Sequence, residues 1–310
     1  MKVILDTDIG PDCDDAAAIA LLNILSNMGY CKILGIGHCT SNQYGAGTID
    51  AICRYYGNCY VPIGTTDRKG FLCSDDCMKY NKWITTNFTN RFRSQQPENV
   101  VSLYRKLLAS ENDNSVDFIS IGPLNDLSDL LSSSADSYFP DNGTELVRKK
   151  VRKLTIMGGI YPSSYNKQKY ISELLGQPYC QISEYNIECD IEAAQHVATE
   201  WPTEKVYLGF EAGLVKIGNC FQTDINKGNP VKTAYTLYSK DGQRYSWDPL
   251  TVEYAILSDN PDFHLSPAGM VRFDKKGRTI WKEDANGYER YVQLAKKEDK
   301  IAADLEQLFI

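Results

Sequence analysis

The sequence predicts an α/β fold with a mostly parallel open sheet, helices on both faces and a small C-terminal antiparallel appendage. Three observations predict it. Short β-branched runs alternate with stretches of good helix formers, the runs are apolar throughout, and residues 269–294 instead alternate polar and apolar side chains. Continuous apolar strands separated by helices are typical of a parallel sheet that is buried on both faces. Alternation around Gly-containing turns indicates antiparallel pairing.

The elements follow in order along the chain. The predicted parallel strands are residues 3–5, 33–37, 60–63, 116–121, 154–157 and 206–208. The predicted helices, which contain few breakers, are residues 16–25, 48–56, 100–108, 124–131, 191–199, 248–257 and 301–309. Residues 160–183 are rich in Tyr, Ser, Lys and Gln and predict a long loop, or lid, over the edge of the sheet. The antiparallel strands are predicted at residues 269–273, 279–282 and 288–294.

The length and the hydrophobic content bound the domain organisation. A chain of 310 residues that is 43% hydrophobic can bury a large core, and it is near the upper size of one continuous domain. We therefore expect a single domain over residues 1–310. Its core would be residues 1–257, and the antiparallel appendage and closing helix would be residues 258–310.

The charge of the chain excludes some classes of partner. The formal net charge is −7, whereas a nucleic acid or an anionic membrane would need a basic surface. Small neutral ligands and cations fit better. No stretch approaches the roughly 18 apolar residues of a membrane-spanning helix, so we expect a cytoplasmic protein, with an exported form that has lost its leader as the alternative.

The ten cysteines lie at irregular spacings without a C-x-x-C pair, which argues against a zinc ribbon. Cys31, Cys39 and Cys53 lie in or beside apolar runs and are predicted to be buried free thiols. Cys73 and Cys77 lie in a polar segment and form the pair in which a disulfide would be tested.

Five aspartates fall within residues 6–15, directly after the first strand and before an alanine-rich helix. So many anions at the end of one strand repel each other unless a cation neutralises them. A helix N-terminus favours negative charge by only about 0.3–1 kcal/mol, which is too little for several carboxylates. Ligation by oxygen alone, without His or Cys nearby, favours calcium or magnesium over zinc.

Three other interpretations of this acidic loop are weaker. A helix cap explains one aspartate and leaves the others unexplained. An EF-hand that starts at Asp6 would need Gly at Pro11 and Glu at Ala17. A phosphatase could use Asp6 as its nucleophile and Asp8 as its acid, but it would leave the pair at 14–15 without a role.

The acidic loop closely resembles the opening signature of the inosine-uridine nucleoside hydrolase family, D-x-D-x-G-x-D-D, with two extra residues before the final Asp-Asp. Further segments resemble family motifs in the family's order: residues 40–42 (T-S-N), 121–127 (I-G-P-L-N-D-L), 156–159 (I-M-G-G), 183–186 (S-E-Y-N) and 247–250 (W-D-P-L). Together the motifs span residues 3 to about 257. Several such motifs in one order are more specific than any one of them.

The resemblance implies a calcium-dependent hydrolysis of the N-glycosidic bond of ribonucleosides, which yields ribose and a free base. It implies calcium ligands at Asp8, Asp15, the main-chain carbonyl of Asn125 and Asp248. It also implies contacts from Asp14 and Asn42 to the ribose 2′- and 3′-hydroxyls, and from Glu184 and Asn186 to the 5′-hydroxyl side, with Met157 nearby. Asp8 would be the base that takes a proton from the attacking water. Family members suggest a dimer or tetramer.

Trp247 departs from the family pattern, which commonly has His directly before the metal-binding Asp-Pro. Indole does not titrate near neutral pH and cannot act as a general acid. Either Trp247 stacks on the base while another group or solvent supplies the proton, or the chain is a non-catalytic homologue that binds nucleosides or ribose; Trp247 as packing alone is the third reading. His38 is expected to be a core residue, His196 lies on a helix surface, and Tyr185 is a better candidate for a contact with the base. The choice between purine and pyrimidine stays open.

Overall fold

The computed structural model describes residues 1–222 and 228–310. Its strands are β1 (Lys2–Thr7), β2 (Lys32–His38), β3 (Ile63–Thr65), β4 (Glu98–Asn99), β5 (Val116–Ser120), β6 (Val151–Met157), β7 (Glu204–Leu208), β8 (Lys216–Ile217), β9 (Arg244–Tyr245), β10 (Phe263–Leu265), β11 (Gly269–Phe273), β12 (Thr279–Glu283) and β13 (Glu289–Leu294). Its helices are α1 (Asp14–Asn27), α2 (Gly45–Tyr55), α3 (Asn81–Asn87), α4 (Val100–Ala109), α5 (Asn125–Ser132), α6 (Gly143–Lys150), α7 (Tyr165–Leu175), α8 (Tyr185–Cys189), α9 (Ile191–Glu200), α10 (Pro230–Tyr238), α11 (Trp247–Ile256) and α12 (Glu298–Gln307). The predicted α/β class is confirmed.

The main sheet has the strand order β12-β11-β13-β7-β6-β5-β1-β2-β3-β4, and β10 pairs with β13. The seven neighbouring strands β7-β6-β5-β1-β2-β3-β4 all pair in parallel. β1 lies between β2 and β5, so the strand order changes direction at β1. In open parallel sheets, ligands bind at such a switch point, beyond the carboxyl ends of the strands. The acidic loop leaves the sheet at this point.

Successive residues of β1 point to opposite faces of the sheet, as a strand requires. Val3 and Leu5 belong to one core cluster, which includes α1, α2, α10 and α11, and Ile4 belongs to a second cluster, which includes α4, α5, α6 and α9. All three side chains are completely buried. The uninterrupted apolar run that predicted this strand thus reflects helices packed on both faces.

The antiparallel strands continue the main sheet. β11 pairs antiparallel with β12 and with β13, as predicted, but β13 also pairs in parallel with β7. Glu289 of β13 lies opposite Lys205 of β7, and their side chains form an ion pair of 3.0 Å in which both are almost completely buried. The C-terminal appendage therefore follows the other strands in sequence but is part of the central sheet.

The loop prediction was wrong for residues 165–175, which form α7 within the segment between β6 and α8. The Ser164 hydroxyl accepts a hydrogen bond from the Lys167 amide, and Gly176 ends the helix with a left-handed φ of 67°. A serine before a helix and a glycine after it are common capping residues. The third strand was also predicted too early, because Tyr60 is 87% exposed and β3 begins only at Ile63.

Cys31, Cys39 and Cys53 are buried free thiols, as predicted. The disulfide considered for Cys73 and Cys77 is not formed, and both thiols are free. Cys77 is buried, with its Sγ atom 3.5 Å from the Ser74 hydroxyl oxygen, while Cys73 is half-buried. Across residues 1–222 and 228–310, no helix combines the length and the hydropathy needed to cross a bilayer.

Candidate active site

The acidic loop turns sharply between β1 and α1. The Thr7 hydroxyl donates a hydrogen bond to Asp15 Oδ1 over 2.5 Å and accepts one from the Ile9 amide over 3.1 Å. Gly10 has a φ of 149°, and a Cβ atom at this position would lie 2.2 Å from the Cys77 carbonyl oxygen. Only glycine allows this close approach, which folds the loop back so that the aspartates that begin α1 face the end of β1.

Asp14 and Asp15 meet Asp248 beyond the end of the sheet. Each of these residues offers a carboxylate oxygen, and the three oxygens lie within 4.8 Å of one another. The side chains are buried, with relative exposures of 2%, 1% and 5%. They converge because α1 packs against α11, so the N-terminal turns of both helices, where negative charge is favoured, point to one place.

The carboxylates of this cluster need positive charge. Burial raises the pKa of Asp8 to about 7. Burial, followed by repulsion from neighbouring aspartates, also holds the pKa values of Asp14, Asp15 and Asp248 well above their usual range. Among the described residues, no Lys, Arg or His forms an ion pair with any of these four. A set of buried carboxylates that no ion pair neutralises fits a hard divalent cation with oxygen ligands.

The predicted site residues surround one cavity of about 380 Å³. Those that line it are Asp8, Asp14, Asp15, Met157, Glu184, Asn186, Trp247 and Asp248. The structure therefore brings together eight of the ten residues that were predicted for the site. Asp8 lines this cavity beside the cluster, although the group of oxygens within 4.8 Å contains Asp14 in its place.

The side chains of Asn42 and Asn125 do not line this cavity. Asn42 Nδ2 donates to the Cys77 carbonyl oxygen over 3.1 Å, so this side chain supports the segment that carries Cys77, which does line the cavity. Asn125 Nδ2 donates to the Cys39 carbonyl oxygen over 3.0 Å. The predicted ligand at Asn125 is its main-chain carbonyl, and the side chain holds the start of α5 against the end of β2.

Glu184 and Asn186 form a second polar wall. The Glu184 carboxylate accepts hydrogen bonds from the amides of Asn186, Ile187 and Gly159 over 2.9, 3.3 and 3.2 Å. Asn186 Nδ2 lies 3.3 Å from the Met157 carbonyl oxygen and 3.2 Å from its sulfur. Burial raises the pKa of Glu184 to about 7 despite these amides. Both side chains are thus fixed with defined donors and acceptors beside the acidic cluster.

Aromatic side chains line the same cavity. Trp247 Nε1 donates to the Phe210 carbonyl oxygen over 2.9 Å, and the two rings are 5.2 Å apart. The Arg244 guanidinium lies over the Trp247 ring at 5.1 Å and over the Tyr238 ring at 5.4 Å. Tyr185, the predicted contact to the base, also lines the cavity and is 47% exposed.

Sequence reasoning missed Phe210, Tyr238 and Arg244. Phe210 lies two residues after the end of β7, so the rule that site residues follow strand ends could have found it. Arg244 lies three residues before Trp247, but nothing local to that segment indicates its partner. Arg244 Nε lies 2.8 Å from Asp12 Oδ2, across 232 residues of sequence. Asp12 therefore forms an ion pair with an arginine and is not one of the three clustered carboxylates.

The structure also bears on the weaker candidates. Asp6 is completely buried, accepts a hydrogen bond from the Tyr104 hydroxyl and does not line the cavity, which argues against a phosphatase nucleophile. His38 is a buried core residue, as expected, and burial lowers its pKa to about 3. His196 was expected on a helix surface, but it is half-buried and lies 2.8 Å from the Ser128 hydroxyl.

Comparison with known proteins decides the family. The sequence model of the family described as inosine-uridine preferring nucleoside hydrolase matches residues 3–302. The chain belongs to this family. Nucleoside hydrolases are enzymes that act on small-molecule nucleosides. Among curated proteins, no sequence matches the chain.

Solved structures show the same nucleoside hydrolase fold. The inosine-uridine preferring nucleoside hydrolase from Bacillus anthracis has 15% identity and a TM-score of 0.69, covering 99% of this chain and 98% of that one. The purine-preferring ribonucleoside hydrolase from Gardnerella vaginalis has 15% identity and a TM-score of 0.72, covering 100% and 98%. The type III effector XopQ, in complex with adenosine diphosphate ribose, has 16% identity and a TM-score of 0.68, covering 100% and 93%. Identities this low support the fold alone.

Proposed function

We propose that this nucleoside hydrolase cleaves the N-glycosidic bond of ribonucleosides in a calcium-dependent reaction and releases ribose and a free base. One observation carries the proposal: three buried carboxylates lie within 4.8 Å of one another and line the same cavity as the aromatic side chains of Tyr185, Phe210, Tyr238 and Trp247. A cation and a sugar diol suit the carboxylates, and a planar base suits the aromatic side chains.

The proposal assigns the cation to Asp8, Asp15, Asp248 and the main-chain carbonyl of Asn125. Calcium, when bound, supplies positive charge that grips the ribose 2′- and 3′-hydroxyls and acidifies a neighbouring water. Asp14 also has a carboxylate oxygen within 4.8 Å of those of Asp15 and Asp248. Asp14 can therefore accept a hydrogen bond from a ribose hydroxyl at the edge of the same cluster.

The chain's own residues provide the rest of the chemistry. Asp8 accepts a proton from the attacking water, whose oxygen forms a bond to C1′. The C1′–N bond breaks, and its electron pair leaves with the base, which takes up a proton from solvent because Trp247 cannot supply one. Glu184 and Asn186, both held by backbone groups, orient the 5′-hydroxyl side of the sugar.

A second candidate is a non-catalytic homologue that binds nucleosides or ribose. Trp247 favours it, because the family commonly has His at this position and the indole N–H is already bound to the Phe210 carbonyl. The XopQ structure holds adenosine diphosphate ribose, so this compound belongs in a panel of ligands. Tight binding without release of any base would support this candidate over the hydrolase.

The test uses purified protein that has been stripped of metal and then supplied with calcium or magnesium. Release of free ribose from a panel of purine and pyrimidine ribonucleosides is followed with time, with an Asp248→Asn variant as the inactive control. We expect turnover that depends on calcium and is lost in the variant. Turnover that persists in chelator would overturn calcium dependence, and the absence of all turnover would overturn hydrolysis.

Two further expectations concern the whole molecule. We propose that residues 1–310 unfold as one domain, because β13 lies within the central sheet, and that the protein is a dimer or tetramer, as its family resemblance suggests. A single calorimetric transition would support the first proposal. Light scattering on the eluting protein would measure the second, and a monomer at micromolar concentration would contradict it.

A further inference from the structure

Two departures from the family signature meet at one side chain, Arg244. Asp12 belongs to the two extra residues of the acidic loop, and Trp247 replaces the usual His. Arg244 Nε donates to both Asp12 carboxylate oxygens over 2.8 and 2.9 Å, and Nη2 donates to the same group. The same guanidinium lies over the Trp247 ring, with its carbon 5.1 Å from the ring centroid. The extra loop residues and the tryptophan thus hold one arginine in place.

Arg244 keeps hydrogen-bond donors for a ligand. A guanidinium has five N–H groups in a rigid planar fork and no acceptor, and it stays charged at any physiological pH. Asp12 occupies the edge formed by Nε and Nη2. Among the described residues, the Nη1 group has no hydrogen-bond partner, and Arg244 lines the cavity with a side chain that is 31% exposed. The free edge can therefore select for ligand atoms that accept hydrogen bonds.

Arg244 lies among the aromatic side chains of the cavity. Its guanidinium lies over Trp247 and Tyr238, and Phe210 packs against Trp247. Trp247 directly precedes Asp248 of the carboxylate cluster, which anchors the ribose in the proposed function. A nucleoside anchored there extends its base into the part of the cavity that Trp247 and Arg244 line.

We propose that Arg244 is the residue that selects the base, and that the preferred substrates are 6-oxopurine ribonucleosides such as inosine and guanosine. Their bases present two neighbouring acceptors, O6 and N7, which match the guanidinium fork. Adenosine keeps N7 but has an amino donor in place of O6, so two donors face each other. Pyrimidines have no imidazole ring and therefore no N7. Cytidine does have two neighbouring acceptors, O2 and N3, but they lie on the edge beside the glycosidic bond and not at the position of O6 and N7. The proposal rests on the proposed function, because the ribose must be anchored at the carboxylate cluster.

The experiment separates binding from turnover by using carbocyclic nucleosides, which lack the ring oxygen and resist hydrolysis. Calorimetry in calcium measures the affinity of carbocyclic inosine, carbocyclic adenosine and the 7-deaza form of carbocyclic inosine, which has C–H in place of N7. The proteins are wild type, Arg244→Met and Arg244→Lys. Arg152→Met is the matched control, because Arg152 also pairs with an aspartate, Asp117, but does not line the cavity.

Wild type should bind the inosine analogue roughly 10- to 100-fold more tightly than either other ligand, as expected for a bidentate contact to a base edge. Arg244→Met should remove this preference, mainly by lowering the affinity for the inosine analogue. Arg244→Lys should remove most of it too, because lysine keeps the charge and loses the fork. Arg152→Met should keep the wild-type ratio.

An unchanged ratio in folded Arg244→Met would overturn the assignment, and so would an equal loss of affinity for all three ligands. If Arg244→Met does not fold, the comparison of the inosine analogue with its 7-deaza form in wild type decides the question, since equal affinities would exclude a contact to N7. Selective binding without turnover of inosine would refute the proposed hydrolysis while confirming the role of Arg244. Turnover of nucleosides without selectivity among the three analogues would refute the role of Arg244 and leave the proposed hydrolysis intact.

Discussion

The backbone amide of Asp248 donates a hydrogen bond to the carboxylate of Asp14 over 3.2 Å, and this contact joins the N-termini of α11 and α1 across 234 residues of sequence. The bond holds one carboxylate of the acidic loop against the helix that supplies Asp248. Because α1 and α11 also pack against each other, these protein contacts alone bring the carboxylates of the cluster together.

The first prediction concerns the cation. Asp15→Asn and Asp248→Asn should each weaken calcium affinity by about 10- to 100-fold, because each removes a charged oxygen ligand from a hard cation. Calorimetric titration of metal-free protein with calcium measures the effect. The matched control is Asp259→Asn, which changes an exposed aspartate that does not line the cavity. Wild-type titration curves in both site variants would refute the assigned ligands.

The second prediction concerns Trp247, one of the aromatic side chains that line the cavity. Trp247→Ala should weaken nucleoside affinity by roughly 5- to 150-fold, the range that corresponds to loss of about 1–3 kcal/mol of stacking on a base. Trp247→Phe should retain most of the affinity, because it keeps an aromatic face. Trp83→Ala, which removes a 48% exposed indole that does not line the cavity, is the control. Equal affinities in wild type and Trp247→Ala would show that Trp247 serves packing alone.

The third prediction tests whether the exact place of Trp247 matters. A Cβ atom at Gly213 would lie 2.0 Å from Trp247 Cδ1 and 2.7 Å from its Cα atom. Gly213→Ala should therefore displace the indole and lower kcat/KM by roughly 10- to 100-fold, the effect of a misplacement of about 1 Å in an active site. Melting temperatures distinguish this local effect from unfolding. Unaltered kinetics in a folded variant would show that catalysis tolerates the shift.

The fourth prediction concerns stability against pH. Burial, with repulsion from Asp262 next, raises the pKa of Glu253 on α11 from 4.5 to about 7. A raised pKa means that the folded state holds this proton more tightly, so stability from this group is full below pH 4.5 and is lost as the pH rises through 7. Relative to wild type, Glu253→Gln should gain about 1–3 kcal/mol in unfolding free energy between pH 5 and pH 8.

Urea unfolding of both proteins at pH 5, 6, 7 and 8 measures this difference. Glutamine can still accept the hydrogen bond that Asn260 donates to Glu253 over 2.8 Å, so the variant removes the titration and keeps the contact. A difference between the two proteins that does not change with pH would contradict the assignment. A Glu173→Gln variant, which changes an exposed glutamate on α7, should show no such dependence.

Much of the fold and most of the site could be predicted from local sequence patterns. The apolar runs identified β1, β2, β5, β6 and β7, because burial on both faces leaves a continuous hydrophobic signal. The residues that follow β1 supplied Asp8, since strand ends of a parallel sheet meet at one edge. Met157, the last residue of β6, came from the family resemblance. The repulsion among close aspartates pointed to a cation before any geometry was known.

The remaining features depend on contacts between distant segments. Nothing in residues 289–294 indicates a parallel partner 84 positions earlier, at Lys205. Likewise, the sequence around Arg244 does not reveal its pairing with Asp12, because an ion pair has no periodicity. α7 was missed for a different reason: its capping residues were present, but its polar composition hid the single buried side chain, Ile171.

The place of β13 beside β7 bears on how the protein is made. A ribosome releases Lys205 well before Glu289, so the nascent chain carries β7 with an open edge until residues 289–294 have been made. During that interval the Lys205 ammonium lacks the carboxylate that it meets in the finished sheet. Premature termination before residue 289 would therefore leave an exposed strand ready to pair with other chains.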